Sequence, residues 1–321
     1  TTVIEKRSFP VIKACGEGLM PGGVDSLKRL VPQELINKIE YHQFAGIRYV
    51  APNGECASGY FGKGDGWGIE RSELSKLLSQ AVEQEPGISI LANTAATVEG
   101  SAEQPIVHFN GQTLRPKLLI AADGLHSPIR RWAELNRPPS KLKRWGLRQH
   151  YQITPWTNLV EVHWSKDMEA YVTPVSPNTV GIAVLSHREL ISSWQKPISL
   201  KETLQVFSNL GPKLLSSEAK DQLIGIGPLH QTVKRTGTGK VVLVGDAAGY
   251  LDAITGEGIS NAMEQALLLD RILQKQKEKP SIDELVIDYA NQLPTLMRRY
   301  YWLTHLTLLL HRRPSLVNQV V

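Results

Sequence analysis

The stretch VVLVGDAAGYLDAITGEGIS, residues 241–260, decides how this chain is read. Val241 to Val244 form a short all-apolar run, the composition of a strand buried on both faces. Gly245 allows a tight turn close to a ligand, and Asp246 follows at the strand's carboxyl end, where a carboxylate accepts hydrogen bonds from sugar hydroxyls. Gly256 and Gly258 then open a helix whose apolar stripe includes Ile259, Ala262, Met263, Ala266 and Leu267. Glycines in a first helical turn let backbone N–H groups approach a ligand, and the helix dipole favours negative charge there. An ordinary strand–loop–helix crossover with an acidic turn shows the same residues, so chemistry alone leaves both readings open.

Working outward, the chain begins with Thr1-Thr2-Val3-Ile4-Glu5, a β-favouring run ending in an acid. A Gly- and Pro-rich loop follows to Gly23, then a helix-compatible segment from Val24 to Lys38 broken at Pro32. Residues 51–68 read as a polar, glycine-dense loop. Leu74, Leu77, Leu78, Ala81 and Val82 mark an amphipathic helix that stops at Pro86-Gly87. Next come a short strand at 87–91, a hairpin turning at Asn110-Gly111, and a strand that ends at Asp123-Gly124. Residues 137–144, with two prolines and clustered cations, read as a boundary. From Trp145 to Ser186 strands follow one another without helices, which predicts an antiparallel sheet. A helix is expected over Leu200–Ala219, and a mostly helical tail over Ser281–Val321.

Composition narrows the function classes. The 321 residues are 41% hydrophobic and 21% charged, values ordinary for a globular protein, and the net charge of +5 is diffuse. No Lys/Arg block or RNA-binding aromatic signature points to nucleic acid. Cys15 and Cys56 have no metal-ligand spacing and suggest a reducing compartment. With no signal peptide and no apolar run near the ~20 residues that span a bilayer, the expected location is cytoplasmic. The segment LMRRYYWLTHLTLLLHRRP, residues 296–314, combines aromatics, leucines and cations; it suits peripheral membrane contact or a helix packed on the body of the protein.

Four blocks now carry a resemblance. GDAAGYLDAITGEGI resembles the third FAD-binding motif of flavoprotein monooxygenases and of the geranylgeranyl reductase group. AADGLHSPIRR resembles their Asp-Gly motif, VIEKRSFPVIKACGEGLMPGG the end of their second strand with the loop after it, and GWGIERSELSKLL the Arg-plus-Leu helix between. Residues 150–185 are similar to their substrate-domain sheet, and the blocks occur in the family's order. The resemblance implies an α/β fold: an FAD/NAD(P)-binding Rossmann-like domain plus an antiparallel β-sheet substrate domain. The expected division is 1–136 and 228–321 for the FAD-binding domain and 137–227 for the substrate domain.

The family's first strand, its GxGxxG turn and its helix lie about 20–25 residues before the ribose-binding acid. Only two residues precede Val3, so that unit is expected to be missing from this sequence. By resemblance, Glu5 binds the adenosine ribose, Arg71 sits near the FAD phosphates, and Asp123 helps hold the pyrophosphate region. Gly245 makes the turn at the cofactor, Asp246 binds the ribityl chain, and Gly256, Gly258 and Ile259 present backbone near the isoalloxazine. A flavin gains negative charge on reduction, which suits a helix N-terminus. Arg130 is expected to pair with a nearby acid. Cys15 and Glu17 lie on the loop approaching the flavin, Glu17 as a candidate proton donor. His150 and His163, on neighbouring strands, are placed to face the crevice, and His126 to be exposed. No residue is assigned as catalytic.

The function implied is FAD-dependent oxidoreduction, with NAD(P)H or another donor, of an apolar or aromatic small molecule by hydroxylation or double-bond reduction. The Cys-Gly-Glu-Gly loop leans toward the reductases, and the absence of a WxWxIP motif counts against halogenation. The alternative from another class is a flavin-free binding or assembly protein.

Overall fold

The structure, a computed structural model, describes residues 1–140, 144–187, 199–214, 216–276 and 281–311. Strands β1 (Thr2–Ile4) and β2 (Gly18–Leu19) lead into helix α1 (Pro21–Leu30). Strands β3 (His42–Phe44), β4 (Gly46–Val50), β5 (Cys56–Tyr60) and β6 (Gly66–Gly68) precede helix α2 (Arg71–Glu83). Strand β7 (Ser89–Leu91), the meander β8 (Ala96–Ser101), β9 (Gln104–Phe109) and β10 (Gln112–Leu114), strand β11 (Leu119–Ala121) and helix α3 (Pro128–Trp132) complete the first part. The middle holds β12 (Arg144–Gln152), β13 (Leu159–Trp164), β14 (Met168–Ser176), β15 (Thr179–His187), β16 (Glu218–Ala219) and β17 (Ile224–Ile226). Strands β18 (Gly237–Thr238) and β19 (Val241–Leu243) and helices α4 (Gly258–Lys275) and α5 (Ile282–His311) close the chain.

The two ends meet. β11 pairs in parallel with β19, Leu119 opposite Val241, and β1 pairs in parallel with β7. Val241, Val242 and Leu243 are fully buried, packed with Leu268, Leu269 and Ile272 of α4 and Leu285, Tyr289 and Leu293 of α5. The middle forms one eight-stranded sheet in the order β16-β12-β15-β14-β13-β4-β5, with β17 also on β12. β14 is buried at every position, because one face meets the cavity side and the other packs on Leu200, Leu204, Phe207 and Leu210.

Three expectations change. Residues 51–68 are not a plain loop: β5 is the exposed edge strand of the large sheet, and β6 sits between β2 and β3. Cys56–Tyr60 lacks the apolar alternation of a strand, since an edge strand buries little. β4 also pairs in parallel with β13, so residues 46–60 extend the middle sheet. The helix expected over Leu200–Ala219 is two four-residue helices, Leu200–Thr203 and Gly211–Leu214, with a 3₁₀ turn at Leu204–Val206 and the strand β16. Gly211-Pro212 interrupts helical propensity there. The tail is helical to His311, and residues 312–321 of the cationic segment lie outside the described residues. Among the described residues no helix is long and apolar enough to cross a membrane.

Candidate cofactor and substrate cavity

A cavity of about 510 Å³ lies between the large sheet and the loops that follow β1, β11 and β19. One wall is apolar sheet: Ile47, Val160, Val162, Ala183 and Leu185. A second wall is backbone-rich: Ala14 to Gly18, Gly245 and Asp246, and Thr255, Gly256, Gly258 and Ile259 at the head of α4.

The local sequence explains that second wall. Gly245 and Gly256 sit at φ +60° and +67°, the left-handed region that glycine adopts without steric cost. The Gly245 amide donates to Gln265 Oε1 at 2.8 Å, tying the turn to α4. Helix α4 has no side-chain cap and no acid in its first turn, so its leading N–H groups and dipole open on the cavity. Arg71, the first residue of α2, also lines the cavity, and its Nη1 is buried without a hydrogen-bond partner. An uncapped helix start and an unpaired guanidinium nitrogen fit a ligand that carries negative charge. Asp246 keeps its carboxylate partly exposed, 3.9 Å from Lys13 Nζ.

The other expected residues are placed differently. Glu5 and Asp123 are not in the cavity lining. The Glu5 carboxylate accepts from the Arg7 amide at 3.0 Å and from Arg7 Nε at 3.4 Å. Asp123 Oδ2 accepts from the Ile129 amide at 3.0 Å, in the first turn of α3. Arg130 has no acid partner among the described contacts. It is 2% exposed, and its guanidinium donates to the carbonyls of Leu125 (2.7 Å), Asp246 (3.2 Å) and Ala247 (3.0 Å) and to Asn136 Oδ1 (2.8 Å). This arginine staples the Asp-Gly segment to the Gly-Asp segment, and burial draws its pKa down. His163 faces away from the cavity, bonded to Glu161 Oε2 at 3.1 Å and edge-on to Phe207. His126 is exposed, with Nε2 3.1 Å from the Gly227 carbonyl.

His150 does turn inward, and it joins Glu17. Glu17 is 1% exposed with φ +61°, and its Oε2 lies 2.6 Å from His150 Nε2. Glu17 Oε1 accepts from the Arg71 amide at 2.8 Å. On the far side His150 Nδ1 meets Asp221 Oδ2 at 2.8 Å, and Arg148 Nη1 bonds the same carboxylate oxygen. Burial alone would lower the imidazole, but the hydrogen bonds to Asp221 and Glu17 overcome it and push His150 up to about 9. Burial likewise works against the Asp221 carboxylate, yet the bonds from His150 hold it down at about 2. The Cys15 thiol is pushed up by burial and by the Glu17 charge. Arg148 and Asp221 carried no signal in the sequence: Asp221 lies 71 residues from His150, in a segment without motif or period.

A second buried cluster ties the sheet to the loop before α4. Arg144 bonds Glu169 at 2.9 Å and Asp252 at 3.0 Å, with these side chains almost wholly buried. Burial pushes Asp252 up to about 6, although Arg144 pulls the other way.

The profile of the FAD binding domain family matches residues 2–289 of this sequence. The chain belongs to that family. Its members are FAD-dependent oxidoreductases, and the cofactor they bind is FAD. The digeranylgeranylglycerophospholipid reductase of Methanococcus vannielii is 27% identical over 272 residues, 80% of this chain and 66% of that protein. The menaquinone reductase of Mycobacterium tuberculosis is 24% identical over 296 residues, 85% of this chain and 70% of that protein. The chain thus spans about two thirds of the curated relatives it matches. Among solved structures, pqsL, a probable FAD-dependent monooxygenase from Pseudomonas aeruginosa, superposes with a TM-score of 0.82 at 17% identity, covering 99% of this chain and 92% of that one. The flavin-dependent halogenase CmlS gives 0.82 at 17% identity, covering 94% and 57%. These likenesses show the FAD-binding-domain fold expected from the sequence, α/β with antiparallel sheet.

Proposed function

We propose that this chain carries the flavin site and substrate cavity of a reductase that saturates a double bond, or reduces a quinone, in an elongated apolar molecule. One observation carries the reading: a sheet face of Ile47, Val160, Val162, Ala183 and Leu185 lines the same cavity as the uncapped head of α4. Apolar surface recognises a hydrocarbon, and backbone N–H groups hold an electron-rich ring. When bound, FAD supplies hydride transfer. Gly256, Gly258 and Ile259 would present amides to the flavin, Gly245 and Asp246 would take the ribityl chain, and Arg71 would meet negative charge with its free nitrogen. Glu5 and Asp123 would serve the adenosine and pyrophosphate side, outside the cavity lining, with NAD(P)H as the reductant.

Reduction is favoured over oxygenation because the curated relatives are named for reductions, of digeranylgeranylglycerophospholipid and of menaquinone. A flavin-free role gains no support from the fold or the relatives. The test is a titration with FAD followed by anaerobic photoreduction and mixing with geranylgeraniol or menadione, with products read by mass spectrometry. Gain of two hydrogens is expected. Failure to bind FAD, or gain of one oxygen in air with no reduction without it, overturns the reading.

A further inference from the structure

A reduction inside an apolar cavity needs a proton as well as a hydride, and the lining groups differ in their ability to supply one. Tyr171 and Tyr250 are pushed well above the ordinary phenol range by burial, and Tyr49 is raised by burial and by Glu169. The Cys15 thiol is raised as well. Arg71 and Arg148 are guanidinium donors without an acceptor site, so neither can pass a proton on. Lys13 and Asp246 are partly exposed and face each other at 3.9 Å. Among the described lining residues, Glu17 is the carboxylate that continues, through a hydrogen-bonded imidazole, to a group in contact with solvent. The side chains of Glu17, His150 and Asp221 are 1%, 4% and 33% exposed, so burial falls steadily along the chain.

From this geometry we infer that Asp221, His150 and Glu17 form a proton path from solvent to the cavity, with Arg148 positioning its outer carboxylate. The inference rests on the reading of the cavity as the place of a reduction. The steps balance without any redox change in the path. The His150 Nε2 proton passes to Glu17 Oε2, and from that carboxyl to the substrate atom at the far end of the double bond, which gains the electron pair when its neighbour takes the hydride. Neutral His150 is left with its proton on Nδ1; a flip of the ring turns that N–H toward Glu17, and the bare nitrogen now facing Asp221 takes a proton from water through that carboxylate. One solvent proton enters for each double bond saturated.

The fold is arranged around this chain. β12 and β15 set His150 opposite Gly181, and a Cβ at Gly181 would lie 2.8 Å from Glu17 Oε2. A glycine there leaves room for the carboxylate. Glu17 occupies left-handed backbone, uncommon for a side chain of this size, and its carbonyl accepts from the Ile69 amide at 3.0 Å. The adjacent Gly16 carbonyl is held by Thr173 Oγ1 at 2.8 Å. The charges facing His150 are Glu17 from the cavity loop, Arg148 on its own strand, whose Nη1 lies 2.9 Å from Nδ1, and Asp221 from the loop before β17; next to it Lys220, whose amide donates to the His150 carbonyl, pairs with Glu70 at the start of α2. Tyr151, raised to about 12 by burial and by Asp221, stays neutral beside them.

The test uses the full chain with ¹⁵N-labelled histidine, and its first readout does not need bound cofactor. In the wild type both ring nitrogens of His150 should be protonated at pH 8, with a midpoint near 9. E17Q and D221N, close isosteres, should each move that midpoint down. D221N should also slow exchange of the His150 ring protons with D₂O at least tenfold, while E17Q should not slow it. A wild-type midpoint near 6.5, or unchanged exchange in D221N, overturns the path. The second readout uses FAD-loaded protein with geranylgeraniol and with menadione. E17Q and H150Q should lower kcat on the order of 100-fold, move its pH profile, and leave the Kd for FAD unchanged. Turnover within threefold of wild type in both variants overturns the role. If the wild type fails to bind FAD, the proposed function falls while the exchange result still decides whether the path exists.

Discussion

Replacing Arg130 by lysine tests how the two ends of the chain are joined. Its guanidinium makes four hydrogen bonds, to Leu125, Asp246 and Ala247 carbonyls and to Asn136, from a position 2% exposed. Lysine keeps the charge but offers one nitrogen on an unforked stem, so it serves about two of those acceptors. Hydrogen bonds from a charged donor contribute about 1.5–3 kcal/mol each, which places the loss of two at about 3–6 kcal/mol before relaxation. Partial repacking favours the lower end, about 3 kcal/mol for R130K. R130M matches the stem but leaves every acceptor unpaired, so it should cost more. Urea unfolding reads both as shifts of the midpoint at constant slope. FAD should bind more weakly to R130K, because the same nitrogen holds the Asp246 carbonyl. Excess FAD should then recover part of the lost stability by mass action. If R130K unfolds within about 0.5 kcal/mol of wild type, or if R130M and R130K are equal, the fork is not what joins the two segments.

Four further outcomes follow from the same structure. His150 is held near 9 against an ordinary 6.5, so its contribution of about 3 kcal/mol is complete below pH 6.5 and is lost as pH rises through 9; unfolding midpoints at pH 6 and pH 10 should differ by that amount in wild type and not in H150Q. Asp252 is raised from 3.8 to about 6, so the folded state binds its proton more tightly; wild type should lose about 3 kcal/mol as pH rises from 4 through 6, a dependence D252N should abolish in the same unfolding assay. G181A places a methyl 2.8 Å from Glu17 Oε2 and should cost about 1–3 kcal/mol, with a displaced His150 ring resonance by NMR. R71M removes a guanidinium whose Nη1 has no hydrogen-bond partner among the described residues, so it should move the unfolding midpoint little while weakening FAD on the order of 10- to 100-fold by fluorescence titration.

What the sequence made legible is what repeats or turns locally. Residues 241–260 announce a buried strand, a glycine turn and an amphipathic helix within one window, and the structure builds β19 and α4 from them. Leu74 and Leu77 announce α2 by their spacing and are 1% and 0% exposed. The charged network was not legible, because its members meet across strand register rather than along the chain. Glu17 and His150 are 133 residues apart, and nothing in either segment encodes that β12 lies against β15 with Gly181 opposite the imidazole. Arg130 misled for a related reason: an arginine beside acids suggests an ion pair, yet its acceptors are mostly main-chain carbonyls, which every residue carries and no sequence distinguishes. The edge hairpin β4–β5 escaped because an edge strand needs no apolar face, so Cys56–Tyr60 carries the composition of a loop while its backbone pairs as a strand. Local pattern therefore marked the glycine turn and helix head that line the cavity, whereas the groups able to move a proton into it are brought together by topology alone.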